Sequence, residues 1–178
     1  MSAPDPAARI RRSVGRVRTA LTRLESAGRG TASTRARIDE GLTCRVEDGE
    51  WSFTSDLSEK VGGDGAGPDP GVFGRASLAS CLAIGYALWA AHAEVPLTSV
   101  EVEVEADYDT RSQFGIGDDS PAYRELRWIV RVESPAPEAE VRDVLALAEE
   151  RSPYLALFRD PQTLRRELHI QTSRPGEP

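Results

Sequence analysis

The sequence predicts an α+β fold in which antiparallel sheets pack around one long, buried central helix. Three observations carry that expectation. Residues 76–93 hold no charged side chain, and small residues there alternate with Leu78, Leu82, Ile84, Tyr86, Leu88 and Trp89. A helix apolar on nearly every face is expected to be buried on nearly every face. Segments on both sides of it alternate at a period of two, as strands do, and two further segments repeat at helical spacing.

In chain order, Ile10, Val14, Val17, Leu21 and Leu24 fall at steps of four and three. Residues 7–26 therefore read as an amphipathic helix, ended by Gly28 and Gly30. Residues 31–40, 42–47 and 50–57 read as strands, with Asp48-Gly49 as a hairpin turn. In the second of these Leu42, Cys44 and Val46 share a face, which makes Cys44 a small core residue. Residues 62–67 form a flexible glycine-rich approach to the central helix. They lack the spacing of a phosphate-binding loop.

After the helix, residues 99–107 alternate strictly, with Val100, Val102, Val104 and Ala106 on one face and Glu101, Glu103, Glu105 and Asp107 on the other. The acids read as a solvated face, since calcium loops interleave their ligands with turns. Residues 110–122 are a polar loop and 123–133 another strand, with Leu126, Trp128, Val130 and Val132 inward. Pro135 and Pro137 open a helix whose first turn holds Glu138 and Glu140. Its buried stripe is Val141, Val144, Leu145 and Ala148, and Pro153 ends it. Residues 163–171 read as a closing strand, and 172–178 as a tail.

The chain has 178 residues and a net charge of -7, with 29% charged and 39% apolar residues, the balance of one globular domain. The charge is uneven. Residues 1–24 carry Arg9, Arg11, Arg12, Arg16, Arg18 and Arg23 against Asp5 alone, a local +5 that leaves -12 for the rest. An acidic body argues against nucleic acid as a partner. The apolar stretch between Arg75 and Glu94 is short and contains His92, which argues against a membrane span. No secretory leader is recognisable, so a cytoplasmic setting is expected. Two cysteines, Cys44 and Cys81, with no CxxC make neither a disulfide scaffold nor a zinc site, and both are expected to stay reduced. No metal or cofactor is expected.

Several stretches together resemble the OsmC/Ohr family (osmotically inducible protein C-like and organic hydroperoxide resistance proteins). They are Gly67-Pro-Asp-Pro70 leading into Ala76-Ser-Leu-Ala-Ser-Cys81, then Ser99 to Asp107, Glu133-Ser-Pro-Ala-Pro-Glu138, the Arg151-Ser-Pro153 helix end, and Arg159-Asp-Pro-Gln162. The resemblance covers residues 31–171 and leaves 1–30 as an N-terminal helical extension. It implies an OsmC-like fold, intertwined as a homodimer. It also implies reduction of organic hydroperoxides by two cysteines, one attacking and one resolving, with a glutamate and an arginine holding the first thiolate. On this pattern Cys81 matches the attacking cysteine. Ser152 stands where the resolving cysteine is expected, and Gly71 where the glutamate is expected. Arg45 is the loose match for the arginine, with Arg35 and Arg37 in competition. The chain thus resembles a divergent member lacking the second cysteine.

Two functions remain open at this level. One is a thiol-dependent peroxide reductase using Cys81 and an external thiol reductant. The other is a non-catalytic dimer that binds a small apolar ligand or a partner protein. Tyr154 sits beside Ser152 as a candidate pocket residue, and Tyr86 and Trp89 read as core or interface aromatics. Ser80 or Ser152 with His92 makes a poor hydrolase triad, because no GxSxG elbow is present.

Overall fold

The computed structural model describes residues 5–172. Helix α1 spans Pro6–Arg23; Asp5 caps it by accepting from the Ala7 amide, and a short 3-10 turn follows at Glu25–Gly28. Strands β1 (Arg35–Arg37), β2 (Cys44–Asp48) and β3 (Trp51–Ser55) form one antiparallel sheet in that order. Helix α2, Pro70–Ala93, is followed by β4 (Ser99–Asp107) and β5 (Glu125–Glu133), which pair antiparallel as a second sheet. Helices α3 (Glu138–Glu150) and α4 (Pro153–Arg159) are the last regular elements among the described residues. The α+β class and the antiparallel pairing follow the sequence expectation.

Helix α2 begins where the sequence says it must. Asp69 accepts from the amides of Gly71 (2.7 Å) and Val72 (3.2 Å), and Pro70 occupies the first helical position. Leu78, Leu82 and Tyr86 are at most 1% exposed and pack with Ala148 of α3 and Leu155 of α4. Burying each of these leucines contributes roughly 1.5–3 kcal/mol. Val100, Val102, Val104 and Val130 close over the same cluster from the second sheet.

Burial on every face is not what a single chain achieves. Only Leu78, Leu82, Tyr86, Ala90 and Ala91 of α2 are buried, and Ile84 is 66% exposed. The two-stranded sheet, α3 and α4 cover one side, and α1 crosses another at Leu88 and Trp89 with no buried residue of its own. Arg18 stacks over the Trp89 ring at 5.9 Å, and Arg11 pairs with Glu94. By length and composition α2 could cross a membrane; in the chain it packs on α1, α3, α4 and β4.

Residues 163–171 are not a strand in this chain. Leu164, Leu168 and Ile170 are 90%, 62% and 74% exposed, and no ladder partner lies beside them among the described residues. Period-two alternation predicts an extended segment, but a strand exists only where another strand accepts its hydrogen bonds. The same limit shortens β1 to three residues, all exposed, on the edge of its sheet. Of the predicted tail, residues 173–178 lie outside the described residues. The predicted solvated acidic face is exposed, and it carries a cross-strand ion-pair ladder. Arg127 bonds Glu105 and Asp107, and Arg131 bonds Glu101 and Glu103.

The glycine-rich approach to α2 is also more ordered than its composition implies. Asp56 is 3% exposed, and its Oδ2 accepts from Thr43 Oγ1 (3.0 Å) and from the amides of Asp64 and Ala66 (3.1 Å each). A Cβ on Gly63 or Gly67 would come within 2.0 Å or 2.3 Å of a backbone oxygen, so the loop folds this tightly only with glycine there. The loop amides that a phosphate would need are already committed, those of Asp64 and Ala66 to Asp56 and those of Gly62, Gly63 and Gly65 to backbone carbonyls. Burial pushes the Asp56 carboxyl up, but its hydrogen bonds outweigh this and hold it below the ordinary value of 3.8. Its stabilising effect is therefore complete above about pH 4 and is lost as the pH falls through the lowered value. Asp56→Ala is expected to lower Tm by several degrees at pH 7 and to flatten the acid limb of stability below pH 4. An unchanged acid limb in urea melts of the variant would count against this role.

Candidate active site at Cys81

Cys81 lies eleven residues into α2, half-buried, with Ser77 and Gly85 one turn to either side on the same face. These small neighbours leave its sulfur open toward α4. The corner between α3 and α4 brings Ser152 to meet it. The Arg151 and Ser152 amides donate back to Ala148 and Glu149 carbonyls at 3.2 Å, and Pro153 starts the next helix at once. Pro153 thus both ends α3 and opens α4, a helix the sequence reading did not assign. Ser152, 6% exposed, caps α4 by accepting from the Leu155 amide at 3.2 Å. Its Oγ stands 3.5 Å from Cys81 Sγ. The Leu155 amide engages one of the two lone pairs of this oxygen, and the hydroxyl proton is left to donate to a thiolate at Cys81.

The other candidate residues are placed differently. A Cβ on Gly71 would lie 2.9 Å from Asp69 Oδ1, 3.2 Å from an Arg75 terminal nitrogen and 3.2 Å from the Tyr123 hydroxyl. The position lacks a carboxylate and is also crowded by three polar groups. Arg75 reaches back toward Gly71, away from Cys81. Arg45 lies on β2, on the face of its sheet opposite to Phe53, whose ring meets Phe73 of α2 at 4.8 Å. Among the described residues no cationic side chain hydrogen-bonds Cys81. Tyr154, beside Ser152, is 41% exposed in the first turn of α4. Cys44 is half-buried rather than core, because its sheet covers α2 only near Phe73; both cysteines are free thiols. Among the described residues no cluster of His, Cys, Asp and Glu has the makings of a metal site.

Sequence reasoning missed one polar group in the core below this corner. The Tyr86 hydroxyl donates to Glu149 Oε1 at 2.7 Å, and Trp128 Nε1 approaches the same oxygen at 3.5 Å. Glu149 is three residues before Ser152, so this bond anchors the turn that presents Ser152 to Cys81. Tyr86 at a core helical position gives no hint of its partner 63 residues on.

A family model described as OsmC-like protein matches residues 62–166. Solved structures similar to the chain include an OsmC-like protein from Mycoplasma pneumoniae, at 17% identity and a TM-score of 0.62 over 73% of this chain and 88% of that one. An organic hydroperoxide resistance protein OsmC from Legionella pneumophila matches at 18% identity and 0.53, over 73% and 90%. A putative organic hydroperoxide resistance protein from Vibrio cholerae, with captopril bound in one of its active sites, matches at 16% and 0.54, over 76% and 89%. At these identities the likeness is one of fold. No curated protein sequence matches the chain.

Proposed function

This chain belongs to the OsmC-like protein family, and on that premise we propose that it is a single-cysteine, thiol-dependent reductase of organic hydroperoxides. The observation that carries the reading is the 3.5 Å approach of Ser152 Oγ to Cys81 Sγ. A hydroxyl occupies the place of the resolving thiol. Cys81 thiolate attacks the outer peroxide oxygen, the O–O bond breaks, and the alkoxide leaves as alcohol after taking a proton. The sulfenic acid on Cys81 then has no second sulfur at hand in α4. An external thiol displaces its oxygen as water to give a mixed disulfide, and a second thiol releases Cys81 with formation of the small disulfide. A cytoplasmic setting supplies such thiols.

The working unit is a homodimer. The uncovered side of α2 around Ile84, together with exposed Leu164, Leu168 and Ile170, is the apolar surface a second copy covers. The arginine that activates Cys81 must then come from elsewhere than α2, and Arg45 is the candidate. A second reading draws support from Gly71 and from the lack of a cation on Cys81: an OsmC-fold dimer that binds an apolar ligand without turnover.

One equivalent of cumene hydroperoxide with dimedone present is expected to give a single dimedone adduct on Cys81, absent from Cys81→Ser, in a protein that sediments as a dimer. Excess peroxide gives sulfinic and sulfonic acids instead. No modification at Cys81 would leave the ligand-binding reading in front.

A further inference from the structure

Arg35, Arg37 and Arg45 converge on one face of the β1–β2–β3 sheet, the face turned away from the Phe53–Phe73 contact with α2. In the register of the sheet Arg37 lies directly opposite Arg45, and Arg35 opposite Glu47. With Asp39 and Glu47 they line a groove of about 360 Å³, three guanidinium groups against two carboxylates. Like charges directly opposite one another destabilise a sheet, and a chain of net charge -7 has carboxylates to spare for neutralising them. Edge protection accounts for arginines on β1, but Arg45 is on the middle strand. Asp39 accepts from Arg37 Nε at 2.6 Å and fixes that guanidinium, leaving its terminal nitrogens without partners. The guanidinium groups of Arg35 and Arg45 have no hydrogen-bonded or ionic partner among the described residues; only their backbones are bonded, in the sheet.

We infer that this groove binds a small organic dianion, one whose carboxylate or phosphate oxygens bridge the guanidinium forks. The forks match such oxygens in pairs, and the volume is that of a small-molecule site. Arg45 is shared with the proposed activation of Cys81, so the groove is tested at Arg35 and Arg37 by anion binding, a readout that does not depend on peroxide turnover.

Calorimetric titration of the full chain at low salt with pyrophosphate, and separately with succinate, tests it. Saturable binding of one anion per chain is expected, with the two probes competing; the tighter one tells a phosphorylated from a carboxylated source. Arg35→Gln and Arg37→Gln each weaken binding about tenfold, as loss of one charge-assisted bond pair does. Arg37→Lys restores part of it, and Arg142→Gln on exposed α3 changes nothing. Circular dichroism and Tm confirm that each variant is folded. Absence of saturable binding, or equal weakening by Arg142→Gln, overturns the site. Dissociation of dimers on Arg37→Gln without anion binding would overturn it too, by assigning the face to a second copy.

Discussion

In the Ser152→Cys variant, one equivalent of organic hydroperoxide is expected to close a disulfide between Cys81 and the new thiol at position 152. The serine Oγ already stands 3.5 Å from Cys81 Sγ. A thiol has a longer bond to its Cβ, and a rotamer change brings the sulfurs to the bonding distance of about 2.05 Å. The peroxide takes two electrons from the pair of thiols and leaves as alcohol and water, so mass analysis reads a two-dalton loss and no dimedone adduct. Intramolecular capture replaces a bimolecular step, and dithiothreitol-dependent turnover is expected to rise roughly 10²-fold where resolution limits the wild type. The substitution also removes the α4 cap, at a cost of about 1 kcal/mol, or roughly 2–4 °C in Tm for a chain of this size. A folded variant that still traps dimedone and keeps its mass would show that Ser152 does not face Cys81 in solution.

That juxtaposition explains how much of the site the sequence discloses. Cys81 is legible as the one thiol of an uncharged helix, and Ser152 only through the family resemblance, which places it where a resolving cysteine is expected. Their meeting was implied only by the family resemblance, since seventy-one residues separate them and only the packing of α4 on α2 joins them. The paired strands β4 and β5 were legible because each buries one face, so that periodicity and structure agree. Residues 163–171 have the same periodicity and form no strand, because pairing is a property of two segments. Tyr86, Glu149 and Asp56 were invisible as partners for a related reason: a buried polar group is specified by what reaches it, and the residues that do are distant in sequence. For α2 the composition foretold burial on every side; the single chain covers one side with β4, α3 and α4 and part of another with α1, and the remainder is what a dimer would supply.

Tyr86→Ala is expected to cost more stability than any other single change in this chain, roughly 3–5 kcal/mol by the usual cost of emptying a buried aromatic site. Tyr86 is 0% exposed and sits between Leu82, Ala148 and Leu155, so neighbours on three elements lose contacts at once. Tyr86→Phe separates packing from polarity. It keeps the ring and removes only the bond to Glu149, which is expected to cost about 1–2 kcal/mol. Burial, then the hydrogen bond to Glu149 and its negative charge, raise the Tyr86 phenol well above its ordinary 10. The folded state therefore keeps Tyr86 protonated while the unfolded chain ionises it. Its contribution is complete below pH 10 and is lost as pH rises beyond that toward the raised value. Urea melts from pH 8 to 11 should show wild-type stability falling above pH 10, with a shallower fall in Tyr86→Phe. If the phenylalanine variant also reacts more slowly with dimedone after peroxide while remaining folded, the Tyr86–Glu149 bond holds Ser152 in place for Cys81. Parallel alkaline limbs in the two proteins would show instead that the phenol reaches water and that the bond to Glu149 is not what anchors the corner.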